Sequence, residues 1–290
     1  MRLGLHALGI GVGARPEIIR AVAVAAEEHG FATLWAGEHV VMLDAQASRY
    51  PYSPDGRIAV PAGADWLDPL LALSYAAATT TRIRLATGVL LLPEHNPVIV
   101  AKQAATLDVL SGGRCTLGVG VGWSAEEFAA LGVPFAGRGR RTAEYVAALR
   151  TLWRDDVCSF AGEFVRFDGI RVHPKPVGRS VPVVVGGNSD AALRRVAAFG
   201  DGWYGFNVDA AAVGERLTVL AEACREHGRS PDDLTIAVAV RDPDPAHLPD
   251  LARAGVTEFV VVASPPGDPA AVPDWVRGLA GEWGRSGPGC

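Results

Sequence analysis

The 290-residue chain predicts an α/β fold, a (β/α)8 TIM barrel, and three observations carry that prediction. Short apolar runs alternate with amphipathic stretches, as in a parallel sheet covered by helices. Eight such runs occur, most of them followed by a helix. One run, 83–92, is apolar on both faces, as the centre of a buried parallel sheet requires. A doubly wound open sheet is the competing architecture. The barrel is read as a single domain over 1–290, with insertions after strand two and before strand five.

Leu3 to Leu8 reads as the first strand. Pro16 opens a helix whose Ile18, Ile19, Val22, Ala23 and Ala26 share one face, and Gly30 stops it. Thr33 to Ala36 is a short second strand. A loop over 40–67 follows, with Tyr50, Pro51, Tyr52, Pro54 and Pro61; such length signals a functional or disordered segment. A helix over 68–80 leads into strand three, 83–92. Asn96 caps the next helix, Pro97 occupies its first position, and it ends before Ser111-Gly112-Gly113. A strand over 115–121, a short helix and a longer one over 141–153 come next.

Residues 154–182 break the alternation and read as an insertion. Within it 164–167 and 170–172 flank Asp168-Gly169 and predict a hairpin with a two-residue turn. The alternation resumes with strand 181–185, helix 190–199, strand 202–206 and helix 209–227. Val213, Leu217, Leu220 and Cys224 share a face of that last helix. Strands 235–240 and 258–262 flank a short helix near 247–254, and a final helix ends near Trp283 before a frayed tail, 284–290.

Hydrophobic residues make up 49% and charged residues 20%, which excludes disorder as the main state. Lysine plus arginine number 27 against 32 acidic residues, a net −5. That balance gives no footprint for nucleic acid and no polybasic membrane anchor. No apolar run reaches the ~18 residues of a membrane span. The N-terminus, broken by glycines and His6, does not read as a signal peptide. Cys115, Cys158, Cys224 and Cys290 form no CxxC pair, so neither disulfides nor zinc is expected and a reducing cytoplasm is the simplest location.

Barrel chemistry gathers at the C-terminal ends of the strands. Glu38-His39 follows strand two; such a pair binds or protonates a ligand, or is a solvated loop pair. In Thr87-Gly88-Val89-Leu90 a glycine interrupts a strand, marking a bulge, a close approach to a ligand, or tolerated packing. Gly118-Val119-Gly120-Val121-Gly122-Trp123 would let a flat ring lie on backbone, with Trp123 as a pocket wall; it lacks the spacing of a dinucleotide fingerprint. Gly186-Gly187-Asn188-Ser189 leads into a helix, where free N–H groups attract an anion such as a phosphate, and Asn188 or Ser189 caps. His6, His95, His173, His227 and His247 lie in unrelated contexts, so no metal site is expected. No GxSxG elbow occurs either.

Taken in order, several strings resemble the luciferase-like superfamily, and within it the coenzyme F420-dependent oxidoreductases. They are LWAGEH at 34–39, the stretch from DPLLALSY to FAALGV at 68–133, RGRRTAEYVAALRTLW at 138–153, GEFVRFDGIRVHPKP at 162–176 and VVVGGNSDAALRRVAAFGDGW at 183–203. The resemblance implies a (β/α)8 barrel that binds a phosphorylated deazaflavin. It implies His39 as proton donor near the reacting ring and Glu38 touching the cofactor. Gly88-Val89 would be a non-prolyl cis peptide propping the ring from behind, with Val121 and Gly122 along the cofactor. Gly186 and Gly187, with Asn188 and Ser189, would receive the phosphate. A homodimer is implied too.

The sequence departs from the sugar-phosphate dehydrogenases of that group. Trp123 stands where they carry a glutamate after strand four, and Leu43 where they carry a tryptophan. Their basic residues for a phosphorylated substrate are not recognisable here, since Lys102 and Lys175 are the only lysines. Trp123, with Trp66 and Tyr52 as lid residues, points to a flatter, more apolar small molecule. Glu127 is expected to be an exposed helix carboxylate rather than a replacement acid. The favoured activity is hydride transfer between coenzyme F420 and a small organic substrate. An FMN-dependent monooxygenase, a non-catalytic flavin or deazaflavin binder, and a metal-dependent hydrolase or lyase are the competing readings.

Overall fold

The computed structural model describes residues 1–284. Eight parallel strands close into a barrel in the order β1-β10-β9-β8-β7-β4-β3-β2, returning to β1. These are β1 (Arg2–Leu8), β2 (Thr33–Ala36), β3 (Arg84–Thr87), β4 (Cys115–Val119), β7 (Val183–Gly186), β8 (Gly202–Asp209), β9 (Thr235–Arg241) and β10 (Glu258–Val262). A separate antiparallel pair, β5 (Cys158–Ala161) and β6 (Arg166–Ile170), lies in the insertion before β7. The helices are α1 (Pro16–Glu28), α2 (Pro69–Ala77), α3 (Pro97–Ser111), α4 (Ala125–Ala130), α5 (Arg138–Arg154), α6 (Asp190–Phe199), α7 (Val213–Glu226), α8 (Leu248–Ala254) and α9 (Val272–Gly284). The architecture is that of a (β/α)8 barrel, with insertions after β2 and before β7. The tail expected to fray lies outside the described residues apart from Gly284, which ends α9.

Alternation along the strands builds two cores. Outward residues such as Leu34, Leu85, Val183 and Trp203 pack under the helices. Inward residues Trp35, Ala86, Val184, Tyr204, Ala237, Ala239 and Val260 fill the barrel. Trp35 and Tyr204 stack at 4.6 Å, and the small alanines opposite make room for them. At the lower end Glu258 is fully engaged: Trp35 Nε1 donates at 2.8 Å and Thr33 Oγ1 at 3.0 Å.

Capping explains the helix starts. The Asn96 side chain accepts from Val98 N and Ile99 N, Pro97 follows, and Gly112 ends α3 at φ 71°. Asp68 accepts from Leu71 N and opens α2, which stops at Ala77 rather than 80. The helix placed at 141–153 begins a turn earlier, at Arg138.

Three sequence expectations need correction. The apolar run 83–92 is a strand only to Thr87; Leu90 makes one bridge to Val119, and Leu92–Glu94 is a 3-10 turn. Buried turns and buried strands are equally apolar, so periodicity could not separate them. Likewise β4 ends at Val119, not at 121. Asp168-Gly169 is not the hairpin turn; it lies inside β6, where Gly169 N and the Asp168 carboxylate both bond the Ser159 hydroxyl. The turn falls between Ala161 and Arg166, because the Glu144 carboxylate accepts from the N–H groups of Glu163, Phe164 and Val165.

Candidate active site

Glu38 and His39 leave the C-terminal end of β2 in opposite directions. Glu38 is buried; its Oε2 accepts from Leu91 N at 2.6 Å and lies 3.0 Å from His95 Nε2. His39 Nδ1 lies 2.7 Å from Glu127 Oε2. His39 Nε2 has no hydrogen-bond partner among the described residues. The ring meets Trp66 edge-on at 4.9 Å and Trp123 at 5.7 Å.

Glu127 corrects the expectation of an exposed carboxylate: it is 1% exposed. The reason is its helix. Ser124 caps α4 by accepting from Glu127 N, which turns the Glu127 side chain inward toward the mouth of the barrel. There Oε1 accepts from Val40 N at 2.8 Å and Val41 N at 3.3 Å. Its neighbour Glu126 faces the 40–67 loop and accepts from Ala47 N and Ser48 N. The Ser48 hydroxyl and then those backbone bonds hold the half-buried Glu126 carboxyl down at about 2.

His95 and Glu94 also belong here, although the sequence left His95 in an unrelated context. The second Glu-His dipeptide, 94–95, faces the first. Burial opposes charge on His95, yet the hydrogen bond and charge of Glu38, with Asp68 and Glu127 farther off, raise its pKa above the ordinary value. Both carboxyl oxygens of Glu94 are buried without a partner among the described residues. Burial, then the charges of Glu127 and Glu38, push Glu94 up to about 9, so it is neutral at pH 7. Beneath the site His6 lies 2.9 Å from the Tyr204 hydroxyl, and burial takes it down to about 4.

The Gly88–Val89 peptide is cis. Val89 packs against two strand ends. A Cβ on Gly120 would sit 2.6 Å from Val89 Cγ2, and one on Gly186 would sit 2.8 Å from Val89 Cγ1. Those glycines make room for the valine that forms the floor of the mouth. Gly122, at φ 73°, is fixed by Phe128, 2.6 Å from where its Cβ would stand; Val121 precedes it.

At the end of β7 the expected anion site is partly committed to the protein itself. Gly187 N donates to Tyr204 O, and Ser189 Oγ accepts from Ala192 N as the α6 cap. Asp190 adds a negative charge at the first helical position, paired with Arg216. Asn188 Nδ2 donates to Phe206 O, while its Oδ1 is buried without a donor among the described residues. Two cations that sequence reasoning missed stand nearby. Neither Arg138 nor Arg195 has a carboxylate partner among the described residues, and Arg195 Nε is buried unbonded. Burial and then the charge of Arg138 lower the pKa of Arg195, with Tyr52 acting the other way. These groups suit a phosphate: two cations, one with a free buried donor, beside a helix start.

The 40–67 loop roofs this arrangement. Trp66 Nε1 donates to Gly37 O, and Asn207 Nδ2 donates to Tyr52 O. Tyr50 meets Tyr52 and Trp123 edge-on at 5.3 and 5.2 Å, and Tyr52 meets Phe206 at 5.7 Å. Trp66 and Trp123, expected as pocket walls, thus stand around His39, and Trp123 Nε1 is buried without an acceptor among the described residues. A separate cavity of about 620 Å3 lies within the loop, lined by Met42, Gln46, Arg49, Asp55, Arg57 and their neighbours. No group of three or more His, Cys, Asp or Glu among the described residues could hold a metal ion. No described helix is long and apolar enough to cross a membrane.

Comparison with known proteins adds context. Residues 3–256 match the family described as luciferase-like monooxygenase. An uncharacterized protein of Mycobacterium tuberculosis is 37% identical over 241 residues, covering 83% of this chain and 85% of that protein. An FMNH2-dependent dimethylsulfone monooxygenase of Pseudomonas putida is 36% identical over 146 residues, 49% of this chain and 40% of that one. The solved coenzyme F420-dependent tetrahydromethanopterin reductase of Methanopyrus kandleri superposes with a TM-score of 0.76, covering 97% of each chain at 17% identity, a likeness of fold.

Proposed function

The chain belongs to the luciferase-like monooxygenase family, and on that premise we propose that it is an oxidoreductase moving a hydride between coenzyme F420 and a small organic substrate. One observation carries the reading: His39 presents an unengaged Nε2 within aromatic walls, at the same barrel mouth as Arg138, bonded there only to Gly122 O, and Arg195, neither of which has a carboxylate partner among the described residues. When bound, the deazaflavin supplies the carbon that accepts or gives the hydride. Arg138 and Arg195, with Asn188 and the start of α6, hold its phosphate end. Gly186 and Gly187 give the backbone a close approach there. Val89 with Gly88, and Val121 with Gly122, underlie the ring. Glu38 braces the Leu91 backbone and His95 beside it. His39 Nε2 takes the proton that a substrate heteroatom releases on oxidation, and returns it in the reverse direction. Trp66, Trp123 and Tyr50 exclude water and favour a flat, apolar molecule.

The preference for coenzyme F420 over FMN rests on the strings that resemble the F420-dependent group. The P. putida relative, whose name states dependence on FMNH2, favours an FMN-dependent monooxygenase as the second reading. Absorbance titration of the purified protein with each cofactor separates them. Tighter binding of coenzyme F420 supports hydride transfer; tighter binding of FMN replaces it with the second reading. A cytoplasmic location, without nucleic-acid or membrane partners, belongs to the same proposal. So does a homodimer, supported by exposed Leu71, Tyr75, Ile99 and Leu110 on the neighbouring helices α2 and α3. Sedimentation velocity tests it, and a single monomeric species would remove it.

A further inference from the structure

We propose that Glu127 is a positioning residue that holds His39 as the Nδ1–H tautomer and aims its bare Nε2 into the mouth of the barrel. This inference rests on reading His39 as the proton-exchanging group.

The hydrogen-bond chemistry supplies the direction. Glu127 Oε1 accepts from two backbone donors, Val40 N at 2.8 Å and Val41 N at 3.3 Å. Both backbone donors commit Oε1 as an acceptor. An ionised carboxylate only accepts, so Oε2, 2.7 Å from His39 Nδ1, receives the ring proton. A neutral imidazole with its hydrogen on Nδ1 leaves a lone pair on Nε2, the nitrogen without a protein partner.

Packing fixes the pair. Glu127 is 1% exposed, its backbone is tied by the Ser124 cap, and Trp66 and Trp123 stand edge-on to the imidazole. A ring flip would put carbon against the carboxylate and leave a buried charge without its donor, which is costly. Val40 and Val41 directly follow His39, so one carboxylate grips both the ring and the backbone that carries it. Glu38, which points away to His95, cannot do this.

The first test needs no cofactor. In protein labelled with 15N-histidine, the His39 resonances, identified by their loss in His39→Gln, are expected to show a protonated Nδ1 and an unprotonated Nε2 once the ring is neutral. A wild-type His39 protonated on Nε2 overturns the proposal. Glu127→Gln keeps the size and an acceptor for Val40 N but can offer an N–H to Nδ1. It is expected to shift His39 toward the Nε2–H tautomer and to lower kcat by about 10²-fold or more, with KM changed less than about threefold. Glu127→Asp should restore the Nδ1–H tautomer and part of kcat. An unchanged tautomer with kcat within twofold of wild type in Glu127→Gln also overturns the proposal. Should His39→Ala turn over like wild type, the functional reading of His39 fails, whereas the tautomer measurement still decides what Glu127 does.

Discussion

The two ends of the barrel treat polar groups differently. At the lower end Glu258 is buried but satisfied by Trp35 and Thr33, and the stacked Trp35–Tyr204 pair lies above it. At the upper end Glu94 Oε1 and Oε2, Trp123 Nε1, Asn188 Oδ1 and Arg195 Nε are buried without partners among the described residues. A buried polar group without a partner costs about 1–3 kcal/mol. The lower end is therefore built for stability, and the upper end keeps bonding capacity in reserve, as expected where a ligand completes the set.

Substitutions at the two ends should separate these roles, and the largest effect belongs below. Trp35→Ala empties the interior layer and should cost about 3–5 kcal/mol in urea denaturation; a loss under 1 kcal/mol would show that the layer is not what holds the barrel. Above, His39→Ala should lower turnover by about 10²–10⁴-fold while the melting temperature stays nearly constant. If cofactor binding and turnover both survive unchanged, the non-catalytic binder becomes the better description. Arg195→Ala should weaken the phosphorylated cofactor by about 10-fold or more, the scale of one charged hydrogen bond. Calorimetry would read it, and equal affinities in both proteins would move the phosphate elsewhere.

The smallest effect is one of pH. Glu94 has a folded pKa of about 9, above its ordinary value near 4.5. Above pH 4.5 the unfolded chain therefore releases a proton that the folded chain keeps, and stability falls as pH rises toward 9. Glu94→Gln removes that penalty. Its melting temperature should match wild type at pH 4.5 and rise progressively above it toward pH 8, by at least about 2–4 °C. A constant offset across that range would mean that Glu94 does not ionise on unfolding.

The barrel was legible because its signals are local. Asn96-Pro97 and Ser111-Gly112-Gly113 mark the two ends of α3 on their own. Glu38-His39 stood out by its place after β2, and the glycine strings by their interruption of strands. What stayed hidden depends on distant partners. Ser124-x-x-Glu127 reads locally as a helix cap, and half of it is one; nothing near 127 announces a histidine 88 positions earlier. Arg138 and Arg195 look like solvated helix charges until the fold brings them, with Tyr52 from the loop after β2, close enough to act on one another's charge. Glu94 and His95 follow the apolar run 83–92, and only the 3-10 turn Leu92–Glu94 swings them back into the mouth.

Val89 touches what three separate segments contribute: its own turn, Gly120 just past β4 and the end of β7 at Gly186. A methyl group added at either glycine would shove this one side chain, and whatever rests upon it would tilt. The shape of the floor is thus a shared property of residues 31 and 97 positions away from it in the chain, which no single loop can remodel alone.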